Sequence, residues 1–174
     1  MPFPSSSSPS PLLPPIPSAK TNSSMPFDPE LVEAQLALNR IGTTDMPKLA
    51  WDALEAGLDG PATRRLAALE LPTFFQVREI LPKVIQEWGL TQLSREQAGL
   101  QLAKRRARQI LQSSENPFEH SYDFFSLWVE TGYSRELAPF FELAEEVSIA
   151  FESGEAEDQV RAWFLEKLKA LAAM

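Results

Sequence analysis

The stretch PKLAWDALEAGLDGPATRRLAAL, residues 47–69, decides the fold of this chain, because it predicts two short helices folded about a tight corner. Pro47 lies in the first turn of the first helix, where its missing N–H removes no hydrogen bond, and Gly57 is expected to end that helix in a left-handed conformation. Pro61 has the equivalent position in the second helix. The residues before the two helices include four candidate N-caps: Thr44, Asp45, Asp59 and Gly60. Each helix carries an apolar stripe, so the pair is expected to close as an antiparallel helical hairpin.

Glycine and proline also mark the helices on either side of this hairpin. Asp28 is a candidate N-cap for a first helix that is expected to end at Gly42. After the hairpin, apolar residues at helical spacing predict a longer helix that ends at Gly89 and contains Pro82. A proline within a helix removes one backbone hydrogen bond and clashes with the preceding turn, so we predict a kink or a break near Leu81 and a helix in two pieces.

The second half of the chain predicts four more helices. Ser94 opens a capping box at the start of one helix, and a strongly aromatic helix follows the turn at Asn116 and stops at Gly132. Ser134 is expected to cap the next helix, and the last one follows the break at Gly154. No stretch shows the period-2 alternation of a β-strand.

Residues 1–25 differ in composition from the rest, since proline and serine dominate them. Such a segment buries too little apolar surface to offset its ordering entropy, so we predict a disordered tail. Within it, residues 11–17 also have the composition of a polyproline II ligand, and Met25 is an alternative start of translation. Residues 26–174 are predicted to form one compact all-α domain of about eight helices.

Charge and composition exclude several classes of function. The chain has 174 residues, a formal net charge of −8, a single histidine and no cysteine. A negative surface repels nucleic-acid phosphates and anionic membranes, so neither is a predicted partner, whereas a basic protein would be attracted. The absent cysteines and the single histidine favour neither a metal centre nor a cofactor, and they fit a cytoplasmic protein.

The block from Leu49 to Leu69, with its corner Ala-Leu-Glu-Ala-Gly-Leu-Asp, resembles a block of small uncharacterised bacterial all-helical proteins. The resemblance covers about an eighth of the chain. It implies a helical protein of the bacterial cytosol and carries no activity.

Catalytic motifs are missing from the sequence. There is no Gly-x-Ser-x-Gly nucleophile elbow and no glycine-rich phosphate loop, and no pair of carboxylates is singled out by its neighbours. His120 is interpreted as a helix-starting residue. The basic run Lys104, Arg105 and Arg106 with Arg108 is interpreted as a solvated face or as an intramolecular partner of acidic residues rather than a nucleic-acid strip. No catalytic, cofactor-binding or metal-binding residue is therefore assigned.

A partner-binding surface is predicted where surplus aromatic residues meet an acidic run. Phe124 and Phe125 are adjacent on a helix and point about 100° apart, so the aromatic residues cannot all share one buried stripe. From Glu136 to Asp158 the charged residues are all acidic. Exposed rings beside negative charge suit the capture of a basic protein. The alternatives are that the aromatic residues form a core between adjacent helices and that the acidic run is a solvated face. The predicted partner-binding residues are Tyr122, Phe125, Trp128, Phe141, Glu142, Glu145 and Glu146.

The sequence therefore predicts a non-enzymatic acidic helical module that binds a protein, such as an immunity-like or antitoxin-like neutraliser of a basic protein. A helical adaptor or scaffold subunit is a second interpretation. A small-ligand-binding domain or a carboxylate-dependent enzyme is a third. No particular oligomeric state is predicted.

Overall fold

The computed structural model describes residues 27–114 and 116–174, so the predicted tail lies outside the described residues. These ranges contain eight α-helices and two 3-10 turns, Thr43–Asp45 and Pro117–His120, and no strand. The prediction of an all-α fold is confirmed. The helices are α1 (Pro29–Ala37), α2 (Met46–Glu55), α3 (Pro61–Ala67), α4 (Phe74–Glu87), α5 (Arg95–Gln112), α6 (Ser121–Glu130), α7 (Ala138–Glu152) and α8 (Glu157–Ala173).

The end of α1 differs from the prediction. Gly42 does not stop the helix, because α1 already ends at Ala37 and Gly42 is extended, with φ −69° and ψ 154°. Asn39 takes the left-handed position instead, with φ +55°. Asparagine tolerates this conformation because its short polar side chain can hydrogen-bond locally, so it can replace glycine at a helix stop.

The predicted break at Pro82 is wrong, since α4 runs without interruption from Phe74 to Glu87. Pro82 and Arg78 are both exposed, and the Arg78 carbonyl is the one that has no N–H partner at position 82. Val77 and Val84, one on each side of the proline, are buried in the same core. This shared packing holds both halves of α4 together against the local cost of the proline.

The hairpin of α2 and α3 forms as predicted. Gly57 has φ +88°, and the N–H of Leu58 donates to the carbonyl of Ala53 at 2.9 Å, which closes the end of α2. The N-cap of α2 is Asp45, but neither it nor Thr44 caps through its side chain, because the preceding 3-10 turn leads directly into the helix. The N-cap of α3 is Gly60, which has no side chain to offer.

Glu87 at the end of α4 caps α3 in place of a local side chain. Its carboxylate accepts hydrogen bonds from the N–H groups of Ala62 and Thr63 and from the Thr63 hydroxyl, each at 2.8 Å. The Trp88 indole also donates to that hydroxyl at 2.9 Å. Partial burial acts to raise the pKa of Glu87, but these three hydrogen bonds outweigh it and lower the pKa below 4.5. A helix in the hairpin is thus held by a residue distant in sequence.

The starts of the later helices follow the prediction in part. Ser94 forms the predicted capping box with Gln97. Ser134 does not cap α7, which begins four residues later, because its hydroxyl accepts from the N–H of Glu136 within a turn at 3.2 Å. The turn after Asn116 is a 3-10 turn, so α6 begins only at Ser121.

Two clusters of buried side chains organise the described residues. The first cluster lies among α5, α6, α7 and α8, and the second lies among α2, α3 and α4. Helix α1 joins them, because Val32 packs in the second cluster while Ala34 and Leu38 pack in the first. None of the helices within residues 27–114 and 116–174 combines the length and hydropathy required to cross a bilayer.

Candidate protein-binding site

Five aromatic rings form a continuous series on the surface between α6 and α7. Tyr122 contacts Phe125 with ring centroids 5.6 Å apart, and Phe125 contacts Phe141 at 5.9 Å. Phe141 stacks on Trp128 at 4.0 Å with an interplanar angle of 8°, and Trp128 meets the edge of Tyr133 at 4.8 Å. We call these five residues the aromatic ladder.

The ladder is exposed at both ends and anchored in its middle. Tyr122 and Tyr133 are 70% and 62% exposed, and Phe125 is 38% exposed. Trp128 and Phe141 are half-buried and stacked, and Trp128 packs against the first cluster. A half-buried stack gives the exposed rings a rigid support, which is the construction expected of an interaction surface.

Helical spacing explains why these rings separate from the core. Tyr122, Phe125 and Trp128 follow one another at intervals of three residues and trace an oblique line along α6. Phe124 and Leu127 lie on the opposite side and are buried. The adjacent rings Phe124 and Phe125 therefore divide between the core and the surface, as the 100° rotation per residue requires.

Tyr133 owes its place in the ladder to an unusual backbone. It has φ +64° directly after Gly132 at φ +74°, and its N–H donates to the Trp128 carbonyl at 2.8 Å. A bulky residue is strained in this conformation, which costs roughly 1–2 kcal/mol. The sequence prediction did not include Tyr133 in the site, although its position next to a helix-stopping glycine was a signal for it.

Two of the three predicted glutamates supply free negative charge beside the ladder. Among the described residues, Glu142 and Glu145 form no ion pair, and both are exposed. Glu145 lies one helical turn after Phe141 on the same face of α7, which puts its carboxylate next to the ladder. Glu146 is rotated toward α8 and forms an ion pair with Lys167. Its charge is therefore largely neutralised within the protein.

Two of the four basic residues in the run of α5 form ion pairs within the protein, as one interpretation of the run predicts. Arg105 forms an ion pair with Asp28, and Arg106 pairs with Asp123 at 2.6 Å. Arg106 also donates to Nδ1 of His120 at 2.9 Å, in the 3-10 turn before α6. These contacts fix α6 against α5 and so orient the face of α6 that carries the ladder.

The remaining titratable groups form no obvious reaction centre in the part of the chain that the structure describes. No three histidine, aspartate or glutamate side chains there come together as ligands for a metal ion. Glu87 and Asp28 have lowered pKa values, but both carboxylates cap helices. In Asp28, partial burial acts to raise the pKa, but hydrogen bonds from the N–H of Leu31 and from the guanidinium of Arg105 outweigh it and lower the pKa.

Comparison of the chain with protein-family models, with curated proteins and with solved structures finds no match. The resemblance of residues 49–69 to bacterial helical proteins thus assigns no family.

Proposed function

We propose that this protein is a non-enzymatic module that binds a basic protein through the aromatic ladder and the free carboxylates of Glu142 and Glu145. The observation that carries the proposal is the contact series of five rings, exposed at both ends, beside carboxylates that have no partner among the described residues. An apolar surface of this kind is uncommon on a monomer unless something covers it.

The two parts of the surface have different roles in binding. Carboxylates attract a positively charged partner over a distance of about 10 Å at 0.1 M salt, so they raise the association rate. Rings bury apolar area and stack with lysine or arginine side chains, and each such cation–π contact contributes about 0.5–2 kcal/mol. An arginine of the partner can contact both the rings and the carboxylates, because its guanidinium can lie on Phe125 or Tyr122 while its N–H groups reach Glu145.

A neutraliser of a basic toxin is the role that suits this surface best. Such a partner presents arginine and lysine side chains, and covering them would block the partner's own contact with an anionic substrate. The lack of cysteine is consistent with work in the cytoplasm. An adaptor with the same surface would instead leave the partner active, so inhibition of the captured protein separates the two roles.

Affinity capture with matched variants tests the proposal. The bait is the full chain, compared with Phe125→Ala, with the double change Glu142→Gln and Glu145→Gln, and with a control double change, Glu55→Gln and Glu70→Gln. The control glutamates are exposed and lie in the part of the fold built on α2 to α4. A basic protein that the parent and the control capture, and that both site variants lose, supports the proposal. Equal capture of the basic protein by the parent and by both site variants would overturn the proposal.

A further inference from the structure

A second apolar surface lies between α1 and α4, far in the sequence from the aromatic ladder. It is a groove of about 470 Å³ at the junction of the two buried clusters. Its walls include Leu36 from α1 and Leu81 and Ile85 from α4, and the segment before α5 closes one end. The volume is in the range of sites that hold small molecules, about 300–1,000 Å³.

The mouth of the groove carries apolar side chains that nothing in the described chain covers. Phe74 lines the groove and is 61% exposed, and its neighbour Phe75 is 79% exposed. The two adjacent rings at the start of α4 were a sequence signal for an exposed surface, by the same rotation argument that separates Phe124 from Phe125.

Among the described residues, Arg78 is the one cationic side chain in the lining of this groove. Arg78 lines it and is exposed, and no carboxylate of the described residues pairs with it. The other charged residue that the described chain contributes to the lining is Glu33, whose Oε1 accepts a hydrogen bond from the N–H of Thr91 at 2.7 Å. Glu33 is thus used to hold α1 to the segment before α5, whereas the guanidinium of Arg78 remains available to a ligand.

We propose that this groove binds a long-chain monocarboxylate, with the alkyl chain along Leu81 and Ile85 and the carboxylate paired with Arg78. The Arg78 guanidinium beside the apolar side chains of α4 matches a ligand that has one anionic group and an otherwise apolar surface. A peptide segment fits less well, because its backbone needs a series of hydrogen-bond partners, and the only polar side chain that the described residues of α4 contribute to the lining is Arg78. This site is separate from the aromatic ladder and does not depend on the function proposed for it.

The alkyl chain and the head group have distinct expected contributions. Each buried methylene contributes about 0.8 kcal/mol, so two more methylenes should tighten binding about tenfold until the groove is full. The charge-assisted pair with Arg78 is partly exposed to water, and its loss should weaken binding about tenfold.

Titration calorimetry with defined amphiphiles tests the site in the full chain at 0.15 M salt, with every ligand below its micelle concentration. The ligands are decanoate, dodecanoate and dodecanol, which differ in chain length and in head-group charge. The variants are Arg78→Gln and the control Lys83→Gln, since Lys83 is an exposed cation of the same helix that does not line the groove. Hydrogen exchange locates the bound ligand independently of affinity.

The expected result is saturable binding of one dodecanoate per chain, about tenfold tighter than decanoate, with protection of amides in α1 and α4. Arg78→Gln should weaken it about tenfold and Lys83→Gln should not. Equal binding of dodecanol and dodecanoate, or equal effects of the two variants, would overturn the proposal. Binding of dodecanoate only after residues 1–24 are deleted would also overturn the proposal, because that segment would then occupy the groove. A dimer that Phe75→Ser dissociates would overturn it too, because a second copy of the chain would then be the occupant.

Discussion

The contact between Gly60 and Glu87 makes a sharp prediction about how α3 is held. A Cβ atom added at Gly60 would lie well inside van der Waals contact of the Glu87 carboxylate. Gly60 has φ −115° and ψ 160°, so alanine fits its backbone without strain. Gly60→Ala should therefore act chiefly by pushing the carboxylate away from the N–H groups of Ala62 and Thr63.

The magnitude follows from the hydrogen bonds at the start of α3. Loss of an N-cap costs about 0.5–2 kcal/mol of unfolding free energy. Glu87 satisfies two backbone donors and a hydroxyl at once, so Glu87→Ala should cost about 2 kcal/mol. Gly60→Ala should cost roughly 1–2 kcal/mol in the parent. In the Glu87→Ala background it should change the unfolding free energy by less than about 0.5 kcal/mol, because the clash no longer exists.

Urea unfolding of the parent, the two single variants and the double variant at pH 7 measures this coupling. The pH dependence provides a second readout, because the folded pKa of Glu87 is lowered from 4.5. A lowered pKa means that the stabilisation is fully present above pH 4.5 and is lost as the pH falls through the folded value. The cost of Glu87→Ala should therefore shrink in acid. Additive costs of the two single changes, or a cost that does not vary between pH 7 and pH 3, would refute the reasoning.

Four further changes test the hairpin and the ladder. Gly57→Val should cost roughly 1–2 kcal/mol because φ is +88° there, and an unchanged urea midpoint would contradict this. The double change of Glu142 and Glu145 to glutamine should slow association with a basic partner at low salt and much less at high salt, as measured by surface plasmon resonance. In the same assay, Phe125→Ala should chiefly speed dissociation, with a cost of about 2 kcal/mol because an exposed ring of the ladder would be buried by the partner; a changed association rate alone would argue against that role. Tyr133→Gly should leave the unfolding free energy within about 1 kcal/mol of the parent, because relief of the left-handed backbone strain offsets the lost contact with Trp128. The same change should nevertheless weaken binding of the partner.

Local signals in the sequence were sufficient for most of the helices. Gly57 and the capping box at Ser94 act within a few residues, so the pattern around each predicts the structure directly. The predictions based on Gly42, for the end of α1, and on Pro82, for a break in α4, were wrong for different reasons. Asn39 takes the left-handed position after α1, so the helix ends before Gly42, and burial of both halves of α4 outweighed the local preference of its proline to break the helix.

The candidate site was decided partly by sequence and partly by tertiary contacts. Rotation by 100° per residue requires that adjacent rings such as Phe124 and Phe125 diverge, so the sequence by itself determined that this chain carries more aromatic surface than one core stripe can bury. Only the packing of α6 against α7 stacked Trp128 on Phe141, and only the position of α8 paired Glu146 with Lys167. The groove beside Arg78 likewise arises where α1 meets α4. Such contacts join residues that are distant in the chain, and no local propensity encodes which distant side chains will meet.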